Sequence, residues 1–221
     1  LINLAKTNEC IVQVGHIERF NPTINKLKEL VDNPHYIEIE RLAPFQARGT
    51  EVPVVLDLMV HDIDLILEMV NSPLESIQAS GAKMMSNSID VAHAHIKFQN
   101  GVVANLKSSR IAQNYVRKIR TYQKNFYSIT DLMIPQIELY GLEHHNMFSE
   151  ELRSQEVETN AGLKTLYYEK FVPANKDALL EEINDFIHCI NTRSKPNVDG
   201  QAGANALEIA LKIENEIFLN E

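Results

Sequence analysis

The sequence predicts an α+β domain: an open, mostly antiparallel β-sheet of about seven or eight strands with helices packed on one face. Three observations carry that reading. From Ser76 to Phe171, short runs alternate apolar and polar residues between turn signals, the period of half-buried strands. Two segments with helical apolar spacing close the chain, Asp177 to Thr192 and Ala204 to Leu219. Strands therefore cluster instead of alternating with helices, which separates an α+β arrangement from a parallel α/β one.

The elements follow in order. Leu1, Ile2, Leu4 and Ala5 have the spacing of the end of an amphipathic helix, and Cys10 to Val14 reads as a short strand beyond the polar turn Lys6-Thr7-Asn8-Glu9. Such a pair has the form of the last αβ unit of a parallel sheet whose other strands are missing; a plain terminal extension is the alternative. Asn21 is placed to cap a helix with Pro22 at its first position, and Ile24, Leu27, Leu30 and Val31 carry its apolar face. Tyr36 to Leu42 reads as a strand with Ile37 and Ile39 on one face and Glu38 and Glu40 on the other. Ala43 to Thr50 is a loop.

Val54 to Val70 lies between Pro53 and Asn71-Ser72-Pro73 and reads as one continuous helix. Its polar residues are Asp57, His61, Asp62, Asp64 and Glu68. At about 100° per residue, all but Asp62 fall in one narrow stripe on an otherwise apolar helix. Buried carboxylates need water, an ion or opposite charges, so the stripe must face one of these. Asp57 and His61, at i and i+4, reach one small volume. That pair fits a solvated acidic edge without chemistry, part of a metal site lacking an evident third ligand, or acid–base work in which a carboxylate orients a neutral imidazole.

Asp90 to Gln99 and Val102 to Ile111 flank Asn100-Gly101, a hairpin signal. A two-residue type I′ turn would pair His95 with Leu106, His93 with Ser108 and Val91 with Arg110, placing His93, His95 and Arg110 on one face. Val116 to Lys124 adds a strand with Arg117, Lys118, Arg120 and Lys124, a basic run suited to phosphate or to a solvated face. Ser128 to Ile134, Gln136 to Leu142 and Leu163 to Val172 complete the sheet. Lys195 to Gly200 is a loop leading into the last helix.

Composition excludes several classes. The 221 residues exceed one typical domain of about 150. A net charge of −9 with scattered basic residues argues against a nucleic-acid binder. Cys10 and Cys189 have no metal-ligand spacing, and a reducing cytoplasm is the simplest compartment. No apolar run is long enough to span a membrane, and no leader pattern is present. The glycines never fall as GxG, the nearest pair being Gly200-x-x-Gly203, so neither a dinucleotide fingerprint nor a P-loop occurs.

Several segments together carry a resemblance: Gln13-Val14-Gly15-His16-Ile17-Glu18-Arg19-Phe20-Asn21-Pro22, then Asp57-Leu58-Met59-Val60-His61-Asp62-Ile63-Asp64, then Asp90-Val91-Ala92, Asn100-Gly101 and Ser109-Arg110, and finally Asp199-Gly200 before an apolar helix. In order and spacing these resemble the glucose-fructose oxidoreductase / inositol dehydrogenase family (Gfo/Idh/MocA). The resemblance implies that residues 1–15 are the trailing helix and strand of an N-terminal Rossmann domain, and residues 16–221 a C-terminal α+β domain for substrate binding and oligomerisation. It implies oxidation of a sugar hydroxyl with NAD or NADP, bound mainly by the Rossmann domain. His61 matches the family's general base and Asp57 its positioning carboxylate. Arg110, Arg19 and Asn21 are candidate substrate or nicotinamide contacts, and Gln13 and Gly15 candidate cofactor contacts.

The family's catalytic Lys belongs to an EKP motif that this sequence lacks; Glu169-Lys170-Phe171 has no Pro and lies far downstream, so it is not assigned that role. The wording of the first two motifs is similar to members acting on a nucleotide-linked amino sugar, and the basic strand suits a diphosphate. A homo-oligomer built through the open sheet is expected, with no nucleic-acid or membrane partner. A stand-alone, non-catalytic binding or assembly module is the competing reading.

Overall fold

A computed structural model describes residues 1–142, 153–174 and 176–219. Its sheet has nine strands: β1 (Tyr36–Leu42), β2 (Leu74–Ala82), β3 (Val91–Phe98), β4 (Val103–Ser109), β5 (Val116–Gln123), β6 (Phe126–Asp131), β7 (Gln136–Gly141), β8 (Arg153–Thr159) and β9 (Gly162–Phe171). Their spatial order is β2-β3-β4-β1-β5-β6-β7-β9-β8, and every neighbouring pair is antiparallel except β1 with β4. The helices are α1 (Ile2–Thr7), α2 (Pro22–Leu30), α3 (Val60–Met69), α4 (Ala178–Thr192) and α5 (Gly200–Leu219), with a 3₁₀ turn over Ile17–Phe20. This is the α+β architecture expected. The additional strand is β8, whose polar sequence RSQEVET has no buried face and offers no alternation to detect.

Alternation in β1 places Ile37 and Ile39 in the core beside Leu106 of β4 and Ile119 of β5, in the same cluster as Ala94 and Ile96 of β3. α5 contributes Ala206, Ile209, Ala210, Ile213 and Ile217, and α2 contributes Ile24, Leu27 and Leu30. Asn21 caps α2 as its sequence position predicts, its side chain accepting from the Thr23 N–H at 2.9 Å. The opposite sheet face carries a row of tyrosines. Tyr36, Tyr122, Tyr127, Tyr140 and Tyr168 succeed one another across five strands with ring centroids 4.6 to 5.7 Å apart.

Three expectations need correction. The hairpin does not close through a two-residue turn: Gly101 N–H donates to Phe98 O, Phe98 N–H to Val102 O, and Gly101 takes φ +87°. Three residues thus form the loop, with glycine in the left-handed position. Pairing moves by one residue, so His95 faces Asn105, His93 faces Lys107 and Val91 faces Ser109. A one-residue shift exchanges faces, so Arg110 leaves the face of His93 and His95 and turns toward the helices.

The stretch Cys10 to Val14 is the second. It makes one isolated antiparallel bridge, Gln13 with Asp199, and joins no sheet among the described residues. The third concerns Val54 to Val70, which is not one regular helix: Val55–Met59 form a π-helical turn before α3 begins. A π turn carries more residues per turn than an α-helix, so Asp57 does not sit where an α-helical wheel puts it.

Gly200 and Gly203 acquire a purpose here. α5 crosses the N-terminal segment so closely that a Cβ on Gly203 would lie 2.6 Å from Val14 Cγ2, and one on Gly200 3.1 Å from Ile2 Cγ1. The spacing places two small residues on one helix face where the 10–15 segment passes.

Candidate functional site

The π turn aims Asp57 away from the core, leaving its side chain 46% exposed and 3.7 Å from the buried guanidinium of Arg110. Arg110 is clamped from the other side. Its Nη1 donates to Gly49 O at 3.1 Å, Nη2 donates to Val52 O, and Nε stands 4.0 Å from Asp90. Burial opposes charge on Asp90, but the Ser86 hydroxyl and the N–H groups of Met84, Met85 and Ser86 outweigh it and hold the carboxyl down at about 2. A charged Asp90 therefore backs Arg110, which in turn faces Asp57.

Asp57 and Arg110 open into a cleft of 410 Å³ that Arg41, Gln46, Arg48, Tyr115 and Arg117 also line. Gln46 Nε2 donates to the Tyr115 hydroxyl at 2.9 Å, joining two sides of it. Arg41 is spent on Asp62 and Glu18, Arg117 on Glu18, and Arg110 lies between Asp57 and Asp90, so among the described residues Arg48 is the cleft arginine best placed to meet an anion. Of the basic strand β5, Arg117 reaches the cleft, whereas Lys118 pairs with Asp131 at 3.6 Å and Arg120 with Glu40 at 3.7 Å.

His61, in the first turn of α3, turns instead to His16. The two Nδ1 atoms are 3.3 Å apart and the rings meet edge to face at 85°. Burial, followed by the nearby charges of Arg41 and His16, lowers the His61 pKa to about 4. Burial likewise lowers that of His16. Both rings are therefore neutral near pH 7.

Two groups of ion pairs brace this dyad. Arg41 Nη2 reaches Asp62 Oδ1 at 2.7 Å and Nη1 reaches Glu18 at 3.3 Å, all three residues being buried. Arg19 holds Asp64 with two 2.7 Å hydrogen bonds and Glu68 at 3.3 Å, and Lys28 also pairs with Glu68. The acidic stripe thus divides: Asp64 and Glu68 find fixed cations, Asp57 finds a cleft, and Asp62, outside the stripe, finds Arg41.

The structure brings Asp57 and Arg110 together, and sets His61 one turn away against His16. It does not bring Arg19 or Asn21 into the cleft: Arg19 is consumed by Asp64, and Asn21 by the α2 cap and Glu18. Gln13 Nε2 donates to Glu182 O at 3.0 Å, while its Oε1 is buried without a hydrogen-bond partner. Gly15 is exposed beside Glu182. Lys170 is exposed in β9, opposite Glu138. His16 and Arg41 were not legible as site residues, because each owes its place to a partner far away in sequence. His16 stood inside a quoted motif, the one hint available. Among the described residues no cluster of three or more His, Cys, Asp or Glu is arranged to hold a metal, and no helix is long and apolar enough to cross a membrane.

The open nine-stranded sheet with its helices has the fold of the C-terminal domain of Gfo/Idh/MocA proteins. Residues 40–126 match the family described as the GFO/IDH/MocA C-terminal domain. The chain is 31% identical over 214 residues to UDP-N-acetylglucosamine 3-dehydrogenase of Acidithiobacillus ferrooxidans, covering 96% of this chain and 64% of that protein. It is 25% identical over 227 residues to a myo-inositol 2-dehydrogenase of Thermotoga maritima, covering 94% of this chain and 62% of that protein. The solved structure of the Acidithiobacillus ferrooxidans enzyme GnnA superposes with a TM-score of 0.83 at 29% identity over 98% of this chain and 65% of that one. The chain thus spans 64% of the length of the first of these curated relatives.

Proposed function

We propose that this chain is the substrate-binding part of an NAD(P)-dependent oxidoreductase that oxidises a hydroxyl of a nucleotide sugar. The observation that carries the reading is the cleft, in which a half-exposed carboxylate, Asp57, faces a clamped Arg110 beside Arg48 and Arg117, one helical turn before His61. Arginines at the mouth supply charge-assisted donors of the kind a diphosphate needs. Relatives that act on UDP-N-acetylglucosamine and on myo-inositol support hydroxyl oxidation.

In this reading the neutral His61 ring removes the hydroxyl proton through its Nε2, the nitrogen left when Nδ1 faces His16. Asp57 accepts a hydrogen bond from the substrate and orients it, with the Arg110 guanidinium 3.7 Å away on its other side. Gln13, with its unpartnered buried Oε1, and Gly15, exposed next to it, are this chain's residues toward a nicotinamide cofactor. An amide donor would satisfy Gln13 Oε1, so these residues fit that group. The cofactor, when bound, supplies the hydride acceptor.

Residues 1–15 are assigned to a Rossmann domain and residues 16–221 to the α+β domain. Leu179, Leu180, Ile183, Ile187 and Ile190 of α4 are 46 to 53% exposed, an apolar face that suits cover by such a domain. The tyrosine row on the helix-free face suits contact with a second copy. Replacing His61 with Ala in the full-length protein tests the chemistry: cofactor binding is retained and the rate falls by about 10²- to 10⁴-fold. An unchanged rate would remove His61 as the base. Purified alone, the chain is expected to show no NAD-dependent turnover; turnover by it would overturn the division of labour.

A further inference from the structure

His16 lies just ahead of the 3₁₀ turn, 5% exposed, its ring edge against His61. With the two Nδ1 atoms 3.3 Å apart, one proton lies between them, so one ring donates and the other accepts. The choice determines what His61 offers at its other nitrogen. If His16 donates, His61 carries its proton on Nε2 and presents an N–H. If His61 donates, its Nε2 is left as a lone pair.

We propose that His16 is a positioning residue whose Nδ1 accepts the Nδ1–H of His61 and so holds His61 in the tautomer with a free Nε2 lone pair. The proposal rests on His61 being the base, and it adds what that reading lacks, the group that selects the tautomer. Asp57, the neighbour that the i, i+4 spacing suggested for that task, is turned instead toward Arg110. The arrangement also survives the reaction. When Nε2 takes a proton, the imidazolium still donates from Nδ1 to a neutral His16, whereas the reverse arrangement would oppose two N–H groups. A hydrogen-bond partner on the second ring nitrogen is the usual means of fixing a histidine tautomer.

Burial keeps His16 neutral enough to accept, and the charges around the pair do not reverse it. Glu18 and Arg19 of the 3₁₀ turn, Arg41 of β1 and Asp64 of α3 act on the pair from three elements, and Arg19 with Asp64, like Arg41 with Glu18 and Asp62, are already paired with one another. Little net charge is left to recruit a proton onto His16. Backbone bonds from His16 N–H to Val14 O and from Arg19 N–H to His16 O, at 2.9 and 3.0 Å, hold the main chain of His16 in place.

The test is long-range proton–nitrogen correlation NMR on this chain with labelled histidine, near neutral pH. The expected result is His61 protonated on Nδ1 and bare on Nε2; protonation on Nε2 overturns the proposal. His16→Leu is expected to shift His61 toward the Nε2–H tautomer. His16→Asn, whose Oδ1 can stand where Nδ1 stood, is expected to keep the Nδ1–H form. In the full-length protein, His16→Leu should lower kcat about 10- to 100-fold with KM nearly unchanged, and His16→Asn should recover most of it. If His61→Ala abolishes the rate while His16→Leu changes neither tautomer nor kcat, the base reading stands and this proposal fails. If His61→Ala keeps the rate, the base reading itself fails. Should His16→Leu not fold, the spectrum of the unaltered chain still decides.

Discussion

Arg41 Nη2 and Asp62 Oδ1 stand 2.7 Å apart inside the protein, immediately after His61 in the chain. Burial opposes both charges, but Asp62 and then Glu18 hold the Arg41 guanidinium firmly ionised. Removing one partner leaves an uncompensated charge in the core. Arg41→Met is expected to cost about 3–5 kcal/mol, read from urea unfolding, while Arg41→Met combined with Asp62→Leu recovers part of the loss. An equal loss in single and double variants would show that packing, not charge, dominates there.

Stability should also fall in weak acid through His61, with His16 acting in the same direction. The ordinary His61 pKa of 6.5 is lowered to about 4 in the fold, so the unfolded chain takes up a proton that the folded one refuses. Stability is full above about 6.5, declines as pH falls through the interval, and is lost by about 4, a contribution of up to ~3 kcal/mol. Asp90, held at about 2 against an ordinary 3.8, acts only below that window. His61→Leu should flatten the unfolding free energy between pH 6.5 and 4; an unchanged slope would contradict the burial argument.

Gly203→Ala pushes a Cβ to 2.6 Å from Val14 Cγ2, and a β-branched side chain held by backbone bonds cannot swing away. The expected cost is about 1–3 kcal/mol in thermal or denaturant unfolding. Val14→Ala in the same chain should restore much of it, because both Cγ atoms go and only the residue-14 Cβ, 3.1 Å away, is left.

Arg48 and Arg117 line the cleft mouth, and Arg117 is already shared with Glu18 at 3.3 Å. Arg48→Ala should weaken a UDP-sugar by about 10-fold, with a smaller dependence on salt, when binding to the full-length protein is measured by calorimetry. A loss equal for the free sugar and the UDP-sugar would separate Arg48 from the diphosphate.

Much of the fold was legible because each signal is local. The Asn21-Pro22 cap, the alternation of β1 and the breakers around 54–70 act within a few residues. The hairpin shows the limit: Asn100-Gly101 marks a turn, but whether two residues or three close it depends on which pairing buries Ala104, Leu106 and Ser108, and that decides the face Arg110 takes. β8 was illegible because none of its residues is buried and its sequence does not alternate, and the π turn because residue pattern does not report hydrogen-bond spacing.

The sequence by itself determined the class of fold, the placing of Asp57 and His61 one turn apart, and the need for charged partners along their helix. Tertiary structure alone decided which partners those are: Arg110 for Asp57, His16 for His61, Arg41 for Asp62 and Arg19 for Asp64. The reason is physical. Local propensity and periodicity act over one or two turns, whereas a buried charge is satisfied by whichever opposite group the packing brings within hydrogen-bond reach, 21 to 53 residues away in these pairs, and no local pattern encodes that distance.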